Sequence, residues 1–231
     1  MVDNKDSSGL FGEISEELRT VMAGRGRWLD TLFPPIAFLL LNAVAGSDVA
    51  LLGSLATAAL ITVFRLVRRE SVLYALGGVG GVAVAVLLAR LVGGAEGFFL
   101  PGILSGVLTV ILCLVSVIIR RPLVAWTSYL VRRWPRDWYW HPRVRPAYSE
   151  VTLAWVLFFA ARTILQLNFF QLAAVEALGV LQLLSGWPAT ILLLILSYIY
   201  GTWRLRNLAG PSVEEFKAGV EPPWEGQRRG F

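Results

Sequence analysis

The chain is poor in the residues that most protein chemistry uses. Of its 231 residues one is cysteine and one is histidine. A lone cysteine excludes an intrachain disulfide and a thiolate metal cluster. Cys113 lies inside an apolar run and reads as a small packing residue. His141 has no cysteine nearby, so no metal site is expected. Charge is also scarce: 16% of residues are charged, against about 25% in an ordinary soluble domain. There is no serine–histidine–aspartate set, no phosphate-cradling glycine loop before a lysine, and no pair of carboxylates inside an apolar run. The run "GGVGG" sits within an apolar segment and reads as helix packing. Neither enzymatic chemistry nor a cofactor is expected.

What the chain has instead is apolar length. Hydrophobic residues make up 56% of it, more than a soluble core of this size hides, which places it in the membrane class. The opening "MVDNKDSSGLFGEISEEL" is acidic and polar and lacks an early apolar stretch, so the first membrane helix is expected to serve as an uncleaved signal-anchor. From Leu10 to Met22 apolar residues recur at three- and four-residue spacing, which predicts an amphipathic helix, set either on the membrane surface or against the protein itself. Six apolar segments follow, at about 31–45, 49–64, 72–91, 98–119, 151–170 and 187–203. The first two fall short of the roughly 20 residues a perpendicular span needs, but flanking residues can extend them as a hairpin. Pro188 suits the first turn of the sixth. Residues 171–186 are too apolar for a free loop and either extend a helix, lie in the interface or dip back into the membrane. The expected fold is an all-α integral membrane protein, a six-span bundle over 31–204. A cytoplasmic segment (1–30) with the amphipathic helix precedes it, and a cytoplasmic tail (205–231) follows.

The basic residues set an orientation. With the first residues inside, 19 of the 21 Lys and Arg fall in the inner segments 1–30, 65–71, 120–150 and 204–231, leaving only Arg90 and Arg162 elsewhere. An even number of spans with both ends cytoplasmic satisfies the positive-inside rule. The inner segment "RRPLVAWTSYLVRRWPRDWYWHPRVRPAY" holds four tryptophans and seven arginines. Arginine interleaved with aromatics can stack nucleic-acid bases. Between two spans, however, it is expected to form an interface belt on lipid headgroups, with Arg120, Arg121, Trp126, Arg132, Arg133, Trp134, Trp138 and Trp140 in contact with them. No nucleic-acid partner is expected.

Two further features concern the membrane interior. Gly77, Gly81, Ala85 and Ala89 form a stripe of small residues, and Gly102 with Gly106 repeats the spacing, which predicts close packing of the third and fourth spans and leaves homo-oligomerisation open. In "FFAARTILQL", Arg162 lies twelve residues past Glu150, about 18 Å into a core of about 30 Å. A midplane arginine costs at least about 2.5–3.5 kcal/mol unless it faces the bundle or water. Gln166, Asn168 and Gln171 add polar groups, with Thr163 beside them. The set is either an anion or headgroup site or a sealed polar network, with backbone carbonyls at Pro34–Pro35 or Pro101, or Glu176, as the counter-group.

The motifs "LFPPIAF", "RRPLV" and "LAWVLFF" resemble the intracellular septation protein A family of small polytopic bacterial inner-membrane proteins. "RRESVLYALGG", "FFLPGIL", "VSVIIRRPLV" and "LLSGWP" resemble more closely an uncharacterised family of actinobacterial type, over roughly Leu32 to Arg204. The first resemblance implies a bacterial plasma-membrane location and a role in envelope synthesis or division through contacts with other membrane proteins. The second implies no established activity. The leading expectation is a non-enzymatic envelope- or division-associated component acting through lipid or protein contacts. The alternative is a small transporter or channel with a midplane polar site around Arg162.

Overall fold

The computed structural model describes residues 27–69, 71–227 and 230–231, and every regular element among the described residues is a helix. In chain order these are α1 (Arg27–Ala45), α2 (Ser47–Val67), α3 (Val72–Val92), a 3-10 turn (Ala95–Phe99), α4 (Leu100–Ile118), α5 (Leu123–Arg132), α6 (Arg136–Trp140), α7 (Arg145–Gln171), α8 (Val175–Ser185), α9 (Trp187–Asn207) and α10 (Val213–Ala218). The amphipathic helix expected over Leu10–Met22 lies outside the described residues.

Five helical stretches are long and apolar enough to cross a membrane: Ser47–Val67, Ala75–Val92, Ala95–Ile118, Arg145–Gln171 and Val175–Asn207, the last interrupted at Gly186. The segment expected at 31–45 appears as a shorter apolar helix, Leu32–Ala45. Its helix carries Pro34 and Pro35 in its interior, and each proline removes a backbone donor. Length and composition therefore support five crossings where the sequence suggested six. Large apolar side chains such as Leu60, Leu73, Ile118 and Leu157 stand bare on these helices. So much exposed apolar surface is unfavourable in water and suits lipid. The molecule is a multi-pass membrane protein.

The chain divides into two compact units. The first comprises residues up to Ser105 together with Thr163–Pro188. Its core is aromatic: Phe38 of α1 stacks on Phe98 at 4.2 Å, and Phe99 meets both rings edge-on. Ala50, Leu51, Ala85, Ala89 and Leu178 close around them. Gly46, with φ +82°, is the whole link between α1 and α2, a left-handed conformation that glycine adopts without steric cost. Thr62 of α2 donates to the carbonyl of Ala75 on α3 at 3.2 Å, which ties that pair of helices together. At the other end of α3, a Cβ on Gly97 would lie 2.7 Å from the Ala89 Cα, so the 3-10 turn sits directly on the helix backbone.

Residues 171–186 do not extend α7. The chain turns at Leu172–Ala174, where Ala173 takes φ +50°, and restarts as α8. Leu178 of α8 is fully buried in the aromatic core, and Gly179 leaves room for the Leu39 side chain.

The second unit comprises Gly106–Arg162 and Ala189–Phe231. Here Trp155 of α7 donates its indole N–H to Ser197 of α9 at 2.8 Å. Below that contact Arg204 grips Glu150 with two hydrogen bonds of 2.7 and 2.8 Å, and Tyr200 adds a third at 2.8 Å. A forked pair of this kind fixes the relative rotation of two helices more firmly than a single contact does.

Residues 120–150, expected as an inner segment with an interface belt, and the described residues of the tail fold together. Trp138, Tyr139 and Tyr148 are fully buried, and their rings meet edge-on at 5.1–6.3 Å. The Trp138 indole donates to the Pro211 carbonyl at 2.9 Å. Phe231 stacks on Tyr148 at 4.4 Å, in space kept open by Gly201, while its carbonyl accepts from Arg132 at 2.9 Å.

The tail has its own fastener. Ser212 and Glu215 form a capping box on α10, and the Glu215 carboxylate accepts further from the amides of Glu225 and Gly226. Those backbone donors, Ser212 and Glu225 foremost, hold the carboxyl down at about 2, from an ordinary value of 4.5. A carboxyl depressed on folding contributes its stabilisation fully above its ordinary value and loses it as pH falls toward the depressed one. Pepsin should therefore cut the tail faster at pH 2.5 than at pH 4.5, relative to a free peptide of the same sequence. Glu215→Gln should show the fast cut at both; equal cutting of the parent at both pH values would contradict the account.

Candidate functional site

The buried line along α7 runs through Tyr148, Val151, Thr152, Val156, Thr163 and Gln166, with Val151 and Thr152 adjacent and the other intervals three, four or seven residues. Such positions share one face of a helix. Near the start of α7, Thr152 donates to the Tyr148 carbonyl at 2.7 Å and accepts from the Val124 amide at 3.4 Å, while the Tyr148 hydroxyl is buried without a partner. Further along, unpartnered polar atoms gather on successive turns. Gln166 has no solvent exposure, yet neither its amide nitrogen nor its oxygen has a partner. The Thr163 hydroxyl and the Arg162 Nε are likewise buried and unpartnered. The division between the two units passes between Arg162 and Thr163, but the three residues belong to one unbroken helix, whose backbone alone sets their spacing.

Burying a polar group without a hydrogen bond costs about 1–3 kcal/mol, and the large majority of buried side-chain polar atoms in proteins have a partner. Arg162, Thr163 and Gln166 thus place unpartnered buried donors and acceptors close together on one helix. Thr163 and Gln166 can each donate and accept; Arg162 only donates. The only carboxylate on α7, Glu150, lies twelve residues from Arg162 and is taken up by Arg204 and Tyr200. Glu176 is an exposed residue in the first turn of α8.

The other residues expected at this site lie elsewhere on the helix. Asn168 is exposed and donates to its own Ile164 carbonyl at 2.8 Å, and Gln171 is exposed at the helix end. In the first unit α8 adds Gln182, whose side-chain oxygen is buried without a partner beside Gly102. A glutamine inside the apolar run 171–186 was the sequence signal for it.

The small-residue stripe divides. Ala85 and Ala89 are buried, whereas Gly77 and Gly81 have open space where a side chain would stand. Gly106 is buried. Of the expected headgroup residues, Arg120 and Arg133 are exposed, both at positive φ. Arg121 lies over the Trp140 ring at 4.4 Å and Arg132 over Trp134 at 4.9 Å. Trp126 packs on Tyr129 and Trp140, and Trp134 on Trp138 and Tyr139. Trp138 is enclosed completely, so it is a core residue that no headgroup touches. His141 accepts from the Arg143 amide at 3.3 Å and meets Phe216 and Trp224 edge-on. Burial first, then Arg143, lowers its pKa, which favours the neutral imidazole. Among the described residues no three His, Cys, Asp or Glu side chains gather as metal ligands.

A family model described as "Protein of unknown function (DUF3159)" matches residues 22–206. No curated protein and no solved structure matches the chain. The family match accords with the resemblance to an uncharacterised family; nothing found supports the septation-type resemblance or an actinobacterial source.

Proposed function

The chain belongs to that family of unknown function, a membership that brings no activity with it, and we propose that it is a non-enzymatic membrane protein that binds a small polar solute within the bilayer, at Arg162, Thr163 and Gln166 of α7, as a transporter or channel would. The observation that carries the reading is Gln166, fully enclosed with both ends of its amide unpartnered. A sealed structural glutamine would satisfy at least one end. A midplane arginine on the same face points the same way, because charged residues inside membranes mark solute and ion paths. Six crossings, counting Leu32–Ala45, would place both ends on the cytoplasmic side of a bacterial plasma membrane. Nearly all of the basic residues would then lie inside.

The test is access from water. Thr163→Cys in a Cys113→Ala background, reconstituted in vesicles, should react with a small water-soluble thiosulfonate far faster than Ile164→Cys, whose side chain stands bare on the next helix position. Equal, slow reaction at both positions would mean that the site is sealed.

A second reading, contact with envelope lipids or membrane proteins, draws support from the exposed Arg120 and Arg133 on the folded aromatic module. It requires that deletion of the chain alter cell shape or envelope integrity.

A further inference from the structure

Resting on the reading of α7 as a solvated site, we infer that its ligand is a small oxyanion that also carries a hydroxyl or amine, such as a hydrogen phosphate or an amino or hydroxy carboxylate. The donor inventory leads there. Arg162 offers N–H groups and a permanent positive charge, Thr163 an O–H, and Gln166 two N–H groups. All three sit on one face of α7, and the buried Nε, Oγ1 and both amide atoms lack partners. Charge-assisted bonds from a guanidinium are the strongest this set can form, and they select anionic oxygen.

The charge is also unbalanced along the helix that carries it. Glu150 is committed to Arg204 and Tyr200, and α7 has no other acidic residue. A cation left without a counter-charge in low dielectric attracts an anion from outside more strongly than it would in water. The Gln166 oxygen is the complement: an acceptor enclosed beside donors needs a ligand that donates at least one hydrogen. A bare halide satisfies the donors and leaves that oxygen empty; a protonated or amino-bearing oxyanion satisfies both.

Phosphate chemistry can reach the site dissolved in water or as a lipid headgroup, and one experiment separates the two. The Thr163→Cys, Cys113→Ala chain is reconstituted in phosphatidylcholine or phosphatidylglycerol vesicles and treated with anionic and cationic thiosulfonates of similar size. The anionic reagent should react at least about tenfold faster, and Arg162→Gln should erase the preference while Arg162→Lys keeps it. Dissolved phosphate or lactate should slow the reaction, and chloride should not, if the ligand comes from water. Slowing of both reagents in phosphatidylglycerol vesicles without added anion identifies a headgroup instead, because surface charge alone slows only the anionic one. Either result supports the inference. A second measurement uses the unaltered chain in detergent: lactate should raise its unfolding temperature, and the rise should vanish in Arg162→Gln, a difference that cancels general salt effects. Equal rates for both reagents, with no protection and no thermal response, overturn the oxyanion while leaving the solvated site standing. No reaction with either reagent removes the site, and the inference with it.

Discussion

Gln166→Leu is expected to make the protein more stable, by about 1–3 kcal/mol in the absence of any ligand. Most substitutions of a fully buried residue destabilise, so the sign is diagnostic. Leucine is close to glutamine in volume and needs no hydrogen bonds, and Gln166 has none to lose. The substitution removes an amide whose desolvation nothing offsets and keeps the apolar contacts of its stem. The same change should abolish the thermal response to lactate. Stability gained and binding lost in one variant is the pattern of a site held ready at the expense of the fold. Gln166→Glu should behave differently. It puts a carboxylate one helical turn from Arg162, supplies the guanidinium with a built-in counter-charge, and should likewise end the response to external anions. Denaturation of the purified chains in detergent measures both. A Gln166→Leu chain less stable than the parent would show that the glutamine makes a bond that stabilises the fold.

The second large effect lies in the aromatic module. Trp138→Ala should cost about 3–5 kcal/mol, the range for truncating a buried large aromatic. Trp138 has no exposed surface, touches Trp134, Tyr139 and Tyr148, and is the hydrogen-bond donor to Pro211. Its loss leaves a cavity and strips the Pro211 carbonyl of its donor, so the segment after Asn207 should come free and be cut early in limited proteolysis. Trp138→Phe keeps one aromatic ring but loses the N–H and part of the indole volume, and should fall between the two. A tail equally resistant in all three chains would show that the module does not depend on the indole. If Trp138 contacted headgroups instead, its removal would change lipid binding and leave the tail in place.

Much of the helical layout was legible in the apolar runs. The helices at 72–91 and 98–119 were placed within a few residues, and the helix after "GWP" begins at Trp187 as Pro188 suggested. The shared face of Arg162 and Gln166 was legible too, since four residues is about one helical turn. The same arithmetic separates Asn168 and Gln171, which stand about 240° and 180° around the helix from Arg162. Grouping them with Arg162 counted closeness in sequence and ignored helical phase.

The amino-acid sequence by itself determined that this chain enters a membrane and where its long apolar helices run. Apolar length and helical period are local properties, readable without knowing what touches what. Only the tertiary structure decided that α8 folds back beneath Phe38 and Phe98, that the tryptophan-rich segment encloses Trp138 within a folded module, and that Gln166 is buried with nothing to bond. Those depend on side chains far apart in the chain, such as Trp138 and Pro211 or Arg132 and Phe231. An aromatic ring satisfies an interface and a core equally well, and the choice between them is made by the partners that reach it.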